Sequence, residues 1–446
     1  METAMLNIRA LALELLIDIM EHSAYCDRAL HHAFEKYPLE RQERSFLMRL
    51  VEGTVERCIE LDYRIDCFAK VKVKKQKPVI RNILRLSVYQ IFYMDQVPDA
   101  TACNEAVKLM EKRKLHNLKG FVNGILSTMI RERENITFPK GIQGISVRYS
   151  TPEWLVKRLV KAYGEERTAS ILAASFEHPG MISVRCCTSR CQMEELQASL
   201  RRQNVRIKPG SLLPCAINIS EYGTLQNLEA FQKGMFQVQD ESSMLVGILA
   251  GIKSGDTVID ICSAPGGKAM HAADILNGTG RVIAADITSD KVALIRENCA
   301  RLGYSNVELY VNDATVPKRE WEGQADVLLA DLPCSGLGVI RKKADIKYKT
   351  TPEDILTLAD IQRSILRTAV SYVKPGGRLI YSTCTIAEEE NEANVHFIEQ
   401  ELGLKAVSIE ELLPERLQGL TGEKGYLQIL PDMAGTDGFF IACFKK

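Results

Sequence analysis

Apolar residues recur at every third or fourth position through most of the first 133 residues. The pattern is clear in IRALALELLIDIM (residues 8–20) and in PVIRNILRLSVYQIFYMDQVP (residues 78–98). A period of 3.6 residues places such side chains on one face of a helix. No run of alternating apolar and polar residues interrupts these stretches. The pattern therefore predicts an all-helical domain over residues 1–140.

The helical period breaks at ENITFPKGIQGISVRYS (residues 134–150), which we interpret as a linker. Two helical stretches follow, PEWLVKRLVKAYG and EERTASILAASF. They lead to a β-like run, MISVRCC, a helix, QMEELQASLRRQN, and short β-like runs up to MFQVQD. This order predicts a small α/β module over residues 141–235, of ferredoxin-like or RRM-like type.

From residue 236 onward, short apolar runs alternate with helical stretches. The runs are TVIDICSA, RVIAADI, VELYVND, ADVLLADLP and RLIYSTCT. Such alternation is typical of a doubly wound parallel sheet with helices on both faces. We therefore predict a Rossmann-like α/β domain over residues 236–446, in a chain of three parts.

Composition narrows the class of protein but not its function. The chain balances 57 Lys and Arg against 57 Asp and Glu, and the first half is slightly basic, which is weakly compatible with a polyanionic partner. No apolar run is long enough to cross a bilayer, and the start METAMLNIRALALELL has an early acid and a helical period rather than a leader pattern. We expect a cytoplasmic protein without membrane contact.

The 13 cysteines are scattered, with no CxxC pair, and RCCTSRC (residues 185–191) lacks histidines at zinc-finger spacing. We expect no metal site and reduced thiols.

Polar residues follow the predicted strands of the C-terminal domain. The first strand runs into a turn with Gly266 and Gly267, and Asp286, Asp313 and Asp331 stand at the ends of the next three. Carboxyl ends of parallel strands share one edge, where an acid on the second strand suits ribose hydroxyls. The turn has neither GxGxxG nor Walker spacing, so we predict S-adenosylmethionine rather than NAD. The alternative is that the glycine-rich turn only reverses the chain direction and binds no ligand.

Two cysteines belong to the same predicted edge. Cys334 follows the fourth strand in LLADLPCSGLG, and Cys384 ends the fifth in LIYSTCT. A single cysteine at such a position is more often a small buried structural residue. Two cysteines at the same edge favour a catalytic role. Carbon 5 of cytosine is a poor nucleophile, and a thiolate that adds to C6 makes the ring enamine-like and able to attack a methyl donor. A second thiol can assist product release.

These motifs resemble those of a known family. DICSAPGGKAMHAA, AADI, NDAT, LLADLPCSGLGVIRKKADIKY and YSTCT are similar to the successive motifs of the NOL1/NOP2/Sun family of RNA cytosine-C5 methyltransferases. VIRNILRLSVYQIFYMDQVPDATACNEAVKL with GFVNGIL resembles the NusB-like helical RNA-binding domain. The combination, over nearly the whole chain, resembles the Fmu/RsmB branch, which acts on bacterial 16S ribosomal RNA.

The resemblance implies a role for each matching residue. Cys384 would add to C6 of the target cytosine, and Cys334 would help to release the product. Asp286 would hold the ribose hydroxyls of S-adenosylmethionine, Asp313 would lie near its adenine, and Asp331 would lie beside donor and target base. The methionine and ribose part of the donor would be lined by the turn residues Cys262, Ser263, Ala264, Pro265, Gly266, Gly267 and Lys268. The implied partner is small-subunit ribosomal RNA. We expect a monomer and leave open a protein partner of the helical domain.

Two basic runs are candidates for RNA contact. IRKKADIKYK (residues 340–349) follows the PC motif and favours phosphate contacts, although a solvated loop is the alternative. KVKVKKQK (residues 70–77) is more often plain surface. In the first run, Ala344 stands where the family usually has a proline and Tyr348 where it commonly has a tryptophan. Both departures concern target contacts rather than the chemistry.

Three other functions stay open at this point. A methyltransferase acting on DNA or protein is one, and DNA C5 enzymes typically use the PC-motif cysteine as nucleophile, here Cys334. The second is an RNA-binding assembly factor without activity, and the third is an NAD-type oxidoreductase, whose fingerprint is missing. Fold alone does not decide among them. The two thiols favour methylation of RNA cytosine.

Overall fold

The computed structural model describes residues 7–177, 180–421 and 425–446 of the 446-residue chain. Residues 1–6, on which the expectation of a leaderless start partly rests, lie outside this range. The chain divides into two compact units. The helical unit comprises Met1–Ala173 with Lys342–Lys349, and the sheet unit comprises Ala174–Arg341 with Thr350–Lys446. In the described residues, no helix has both the length and the apolar character needed to span a membrane.

The helical unit confirms the all-helical prediction for the N-terminal region. Its helix Pro78–Tyr93 is buried along most of its length, and Pro78 suits the first helical position because that residue needs no amide donor. The predicted linker at residues 134–150 contains the helix Gly141–Arg148, so much of it is ordered helix. Gly164 (φ 77°, ψ 168°) separates the two predicted helices within Glu153–Ala174. The other helices are Ile8–Glu21, Cys26–Lys36, Arg41–Glu56, Cys58–Phe68, Asp99–Lys112 and Lys119–Arg131.

The second piece of this unit, Lys342–Lys349, removes two residues from the predicted phosphate-binding loop, whereas Lys342 and Lys343 are exposed and stay candidates. Lys347 is 1% exposed, and its Nζ donates to the Glu56 carbonyl at 2.9 Å. The Tyr348 hydroxyl lies 3.0 Å from the carbonyl oxygens of Glu56 and Ser150. Glu56 ends the helix Arg41–Glu56, whose last carbonyls have no partners within the helix. Lys347 and Tyr348 therefore cap a helix and do not face RNA.

The sheet unit begins with the small module. Its strands are β1 Ile182–Cys186, β2 Arg206–Pro209, β3 Ala216–Ser220 and β4 Phe236–Val238, in the antiparallel order β2-β3-β1-β4. The helix Met193–Arg202 lies between β1 and β2 in the chain. This is the ferredoxin-like arrangement that the sequence predicts.

The larger sheet contains the predicted parallel strands. They are β5 Thr257–Asp260, β6 Arg281–Asp286, β7 Val307–Val311, β8 Ala325–Asp331 and β9 Val373–Thr383. Three further strands, β10 Lys405–Ala406, β11 Tyr426–Ile429 and β12 Phe439–Lys445, make the sheet mixed, because β12 pairs antiparallel with β9. The order is β10-β12-β9-β8-β5-β6-β7, with β11 on β12. The main helices are Glu241–Leu249, Gly267–Leu276, Ser289–Leu302, Pro352–Ala369 and Glu392–Gln400.

The strand order determines where a site can form. From β5 the chain moves outward to β6 and β7, and it then returns to β8 on the other side of β5. The crevice at such a reversal, at the carboxyl ends of the strands, is where open α/β sheets bind ligands. The residues predicted to form the site follow β5, β6, β7, β8 and β9.

Candidate active site

The glycine-rich turn after β5 wraps against the end of β6. The backbone amide of Ala264 donates to Asp286 Oδ2 at 2.9 Å, and the amide of Ser263 donates to the Ala285 carbonyl at 2.9 Å. Gly266 has φ 101°, a conformation that side-chain-bearing residues rarely adopt. The helix Gly267–Leu276 then begins without a side-chain cap, and the first amides of a helix have no partners within it. The turn is therefore shaped for close approach of a ligand to backbone.

Lys268 and Asp331 form an ion pair across the crevice. Lys268 Nζ lies 2.6 Å from Asp331 Oδ2, and Ser382 Oγ donates to the other carboxylate oxygen at 2.8 Å. Burial opposes the charge of Lys268, but Asp331 outweighs it and raises the pKa of the ammonium group. Asp331 and Ser382 face each other in the β8–β9 register. The strand pairing thus brings the acid to the end of the strand that leads to Cys384.

The two predicted thiols meet. Cys334 Sγ and Cys384 Sγ are 3.4 Å apart, and both residues are half-buried. The loop of Cys334 packs backbone to backbone on the turn of Cys384, and the Gly338 amide donates to the Cys384 carbonyl at 3.0 Å. A Cβ at Gly338 would lie 2.1 Å from the Gly438 carbonyl oxygen, so this close approach requires glycine.

The groups around the two sulfurs make the thiols unequal. The hydrogen bond from Cys334 lowers the pKa of Cys384, and the charge of Lys268 acts in the same direction against burial and Asp331. The same hydrogen bond, together with burial and the charges of Glu390 and Asp331, raises the pKa of Cys334 well above its usual value. Cys384 is therefore the better candidate for the thiolate of the pair.

The predicted acids separate into two groups. Asp286 is buried, and its carboxylate accepts hydrogen bonds from the backbone amides of Ala264 and Ile287. Lys291 Nζ lies 3.0 Å from Asp286 Oδ1. Asp313 follows β7 by two residues, is exposed, and accepts from the Thr315 amide and hydroxyl. No hydrogen bond or ion pair among the described residues joins Asp313 to the other candidate site residues.

Two buried acids at this edge were missed by the sequence reasoning. Asp260 ends β5 and is fully buried, and neither carboxylate oxygen has a hydrogen-bond partner within the described chain. Burial and the nearby charge of Asp331 raise the pKa of Asp260 to about 7. Glu390 is also fully buried and accepts from the Ser335 amide at 2.9 Å. The acid before ICSAPGG was a usable signal for Asp260, whereas nothing distinguishes Glu390 within AEEENE.

These residues fit S-adenosylmethionine. A buried carboxylate without a partner, Asp260, suits the α-ammonium group of the methionine part, since an unpaired polar group in the interior is costly. Asp286, at the end of β6, suits ribose hydroxyls. Gly266, just before the helix, has a left-handed backbone, and a Cβ there would lie 3.2 Å from Ile295 Cγ2, so this turn favours glycine.

Comparison with known families covers most of the chain. The family model for 16S rRNA methyltransferase RsmB/F matches residues 248–445. The NusB family matches residues 6–131, and the ferredoxin-like domain of the RsmF/B-like methyltransferases matches residues 151–226.

Individual proteins give the same result. The probable ribosomal RNA small subunit methyltransferase B of Bacillus subtilis (strain 168) is 38% identical over 99% of both chains. The crystal structure of PH0851 superposes with a TM-score of 0.81 at 25% identity over 99% of both chains. NSun6 from Pyrococcus horikoshii, solved with SFG, has the same fold over 66% of this chain and 98% of its own, with a TM-score of 0.58 at 23% identity. The chain therefore belongs to the 16S rRNA methyltransferase RsmB/F family of S-adenosylmethionine-dependent enzymes.

Proposed function

We propose that this enzyme methylates carbon 5 of a cytosine in 16S ribosomal RNA through a covalent bond between Cys384 and C6 of the base. The observation that carries the proposal is the thiol pair, 3.4 Å apart beside the Lys268–Asp331 ion pair. A methyltransferase for an exocyclic amine or a hydroxyl has no use for two adjacent thiols. Carbon 5 chemistry needs one thiol to activate the ring and a second group to end the covalent stage.

The steps assign a separate task to each thiol. The Cys384 thiolate would add to C6, and C5 would then take the methyl group of the donor, whose methyl carbon–sulfur bond breaks so that S-adenosylhomocysteine leaves. A base then removes the C5 proton, and the C6–sulfur bond breaks to return the thiolate and leave 5-methylcytosine. We assign Cys334 to this release step. Because a base inside a duplex cannot be attacked at C6, the target cytosine must be unpaired or flipped out.

S-adenosylmethionine supplies the electrophilic methyl group when bound. We assign its ribose hydroxyls to Asp286, its adenine to the neighbourhood of Asp313, and its methionine part to Asp260 and the turn Cys262–Lys268. Asp331, held by Lys268 and Ser382, is placed to hydrogen-bond the cytosine edge. In this assignment Lys268 also keeps the nucleophilic thiol ionised.

For the chain as a whole, we propose a monomeric cytoplasmic enzyme. We also propose the three-part division of residues 1–140, 141–235 and 236–446, with the first part as an RNA-binding domain. The basic run at residues 70–77 supports RNA contact there, because its lysines are exposed.

The test uses 16S ribosomal RNA that lacks its native modifications. Wild type with S-adenosylmethionine should produce 5-methylcytidine, measured by mass spectrometry after digestion to nucleosides. Cys384→Ala should lower this by more than about 10³-fold, as expected for loss of a covalent nucleophile. Cys334→Ala should accumulate a protein–RNA adduct that survives denaturing electrophoresis. Cys299→Ala, a buried cysteine outside the pair, is the matched control and should retain wild-type activity.

The other outcomes are equally informative. An active Cys384→Ala with a dead Cys334→Ala would make Cys334 the nucleophile, the arrangement of DNA C5 enzymes. Methylation at another atom of the RNA, with neither cysteine needed, would refute the C5 proposal.

A further inference from the structure

A buried polar cluster lies directly behind the two thiols. Its centre is Glu390, which is fully buried. The Glu390 carboxylate accepts from the Ser335 amide at 2.9 Å, the Ser335 hydroxyl at 2.5 Å and Gln362 Nε2 at 3.0 Å. These are all donors, and a carboxylate offers only acceptors, so the set matches the ionised form. A glutamine here would turn an amide NH₂ toward groups that also donate.

The cluster connects the two thiol-bearing turns through the residue that follows each thiol. Ser335 follows Cys334 and Thr385 follows Cys384, and their hydroxyl oxygens are 2.7 Å apart. Asn391, next to Glu390 in the chain, donates to the Thr385 carbonyl at 3.0 Å and bonds the Thr383 hydroxyl at 2.6 Å. Both turns are therefore fastened to one short segment, Glu390–Asn391, at the start of the helix Glu392–Gln400.

We propose that Glu390 is a positioning residue whose carboxylate fixes the relative position of the two thiols and whose negative charge opposes a thiolate at Cys334. The proposal rests on the two-thiol reaction proposed above. Glu390 does not touch the reacting atoms. It acts through Ser335 on Cys334, and through the Ser335–Thr385 contact on Cys384.

The charges that face the pair support this assignment. Asp331 and Glu390 act on Cys334, and both disfavour its thiolate. Cys384 faces the charges of Lys268, Asp331 and Asp437, and of these three Lys268 favours its thiolate, as does the hydrogen bond with Cys334. The cation on one side and Glu390 on the other therefore direct the single negative charge of the pair to Cys384. Burial raises the pKa of Glu390 itself, and its hydrogen bonds oppose that shift.

The test separates charge from geometry with two variants. Glu390→Gln removes the charge, and Thr385→Val removes the hydroxyl contact while keeping the side-chain shape. Both are compared with Glu241→Gln, since Glu241 is a buried glutamate that accepts three backbone amides, from Ser211, Leu212 and Leu213, away from the thiols. The first measurement is the pH dependence of iodoacetamide alkylation at Cys334 and Cys384, followed by peptide mass spectrometry on free enzyme. The second is kcat and KM for methyl transfer.

Glu390→Gln should lower the pH at which Cys334 is half-maximally alkylated by about one unit, the size of shift that one nearby like charge produces. Thr385→Val should leave that pH unchanged and lower kcat about tenfold without changing KM for S-adenosylmethionine, because the thiols lose their register. Glu241→Gln should change neither, even where it lowers the melting temperature. Glu390→Asp, which keeps the charge, should retain the wild-type order of alkylation.

Unchanged Cys334 alkylation in Glu390→Gln would overturn the charge role, and wild-type kcat in Thr385→Val would overturn the positioning role. If Glu390→Gln does not fold, Glu390→Asp decides the charge question, since equal alkylation of both thiols in that folded variant would overturn it. Alkylation needs neither RNA nor donor, so a wild type that makes no 5-methylcytidine would refute the proposed function without affecting these results.

Discussion

Among the described residues, the sheet unit contains two pairs of adjacent thiols, and one of them belongs to the candidate active site. Cys334 and Cys384 are 3.4 Å apart at the carboxyl ends of β8 and β9. Cys186 and Cys191 are 3.8 Å apart in the ferredoxin-like module. In both pairs one sulfur donates to the other, so the pKa of Cys186 is raised and that of Cys191 lowered in the same way as in the first pair.

The surroundings of the two pairs differ. Cys186 and Cys191 are buried in an apolar core with Val184, Leu196 and Phe236, and the Cys191 sulfur also contacts the carbonyls of Cys187 and Met235. Carbonyl oxygens and apolar side chains do not stabilise a thiolate. The first pair is half-buried, beside the lysine of an ion pair and above the Glu390 cluster. Two sulfurs in contact are therefore not in themselves a site.

The largest expected effect comes from removing Lys268, the cation beside the Cys334–Cys384 pair. Lys268→Met should lower methyl transfer about 100-fold, the usual cost of losing one preorganised charge, and should move Cys384 alkylation to higher pH. Arg190→Met, which removes a charge acting on Cys191, should change activity less than about twofold, because that pair lies outside the reaction. Methyl-transfer kinetics and alkylation against pH measure both. Equal losses in the two variants would contradict the distinction.

The two thiol pairs should also differ in their rates of alkylation in the folded protein. At pH 8, iodoacetamide should modify Cys384 at least about 30-fold faster than Cys186 or Cys191, since access favours Cys384 over both and its lowered pKa favours it over Cys186. The second pair should react only after urea unfolds the module. Peptide mass spectrometry over a time course gives all the rates from one sample. Early alkylation of Cys186 would mean that the module opens under native conditions.

The sequence predicts where Cys334 and Cys384 lie, but two buried acids around them were not predicted. Strands in a parallel sheet bring their carboxyl ends to one edge, so Asp286, Asp331 and both thiols were predictable from strand ends alone. Asp260, at the end of β5, was predictable from the same pattern and was missed, whereas the significance of Glu390 depends on burial and on partners far away in the chain. The Ser335–Glu390 contact spans 55 residues. Local pattern carries no such information.

The two basic runs also could not be told apart from the sequence, because the burial of a lysine depends on distant parts of the chain. In residues 70–77 the lysines are exposed, on a short turn whose Val73 is buried. In residues 340–349, Lys347 caps a helix, and burial lowers its pKa to about 7. Both runs have a similar density of charge in the sequence. The second run differs because the Glu56 carbonyl, at the end of the helix Arg41–Glu56, accepts from Lys347, and the helix and the run are far apart in the chain.

The smallest expected difference between the two thiol pairs is in the free energy of unfolding. Here the substitution at Cys191 should cost more than the one at Cys384, whereas for activity the order is reversed. Cys191→Ala should lower the free energy of unfolding by about 1–2 kcal/mol, because it leaves a small cavity in a packed core. Cys384→Ala should lower it by less than about 0.5 kcal/mol, since a half-buried site loses less packing. Urea unfolding followed by circular dichroism measures both, without S-adenosylmethionine so that ligand binding does not add stability. A larger cost at Cys384 would mean that its thiol supports the fold as well as the reaction. The pair proposed to be catalytic would then resemble the Cys186–Cys191 pair more closely than its surroundings indicate.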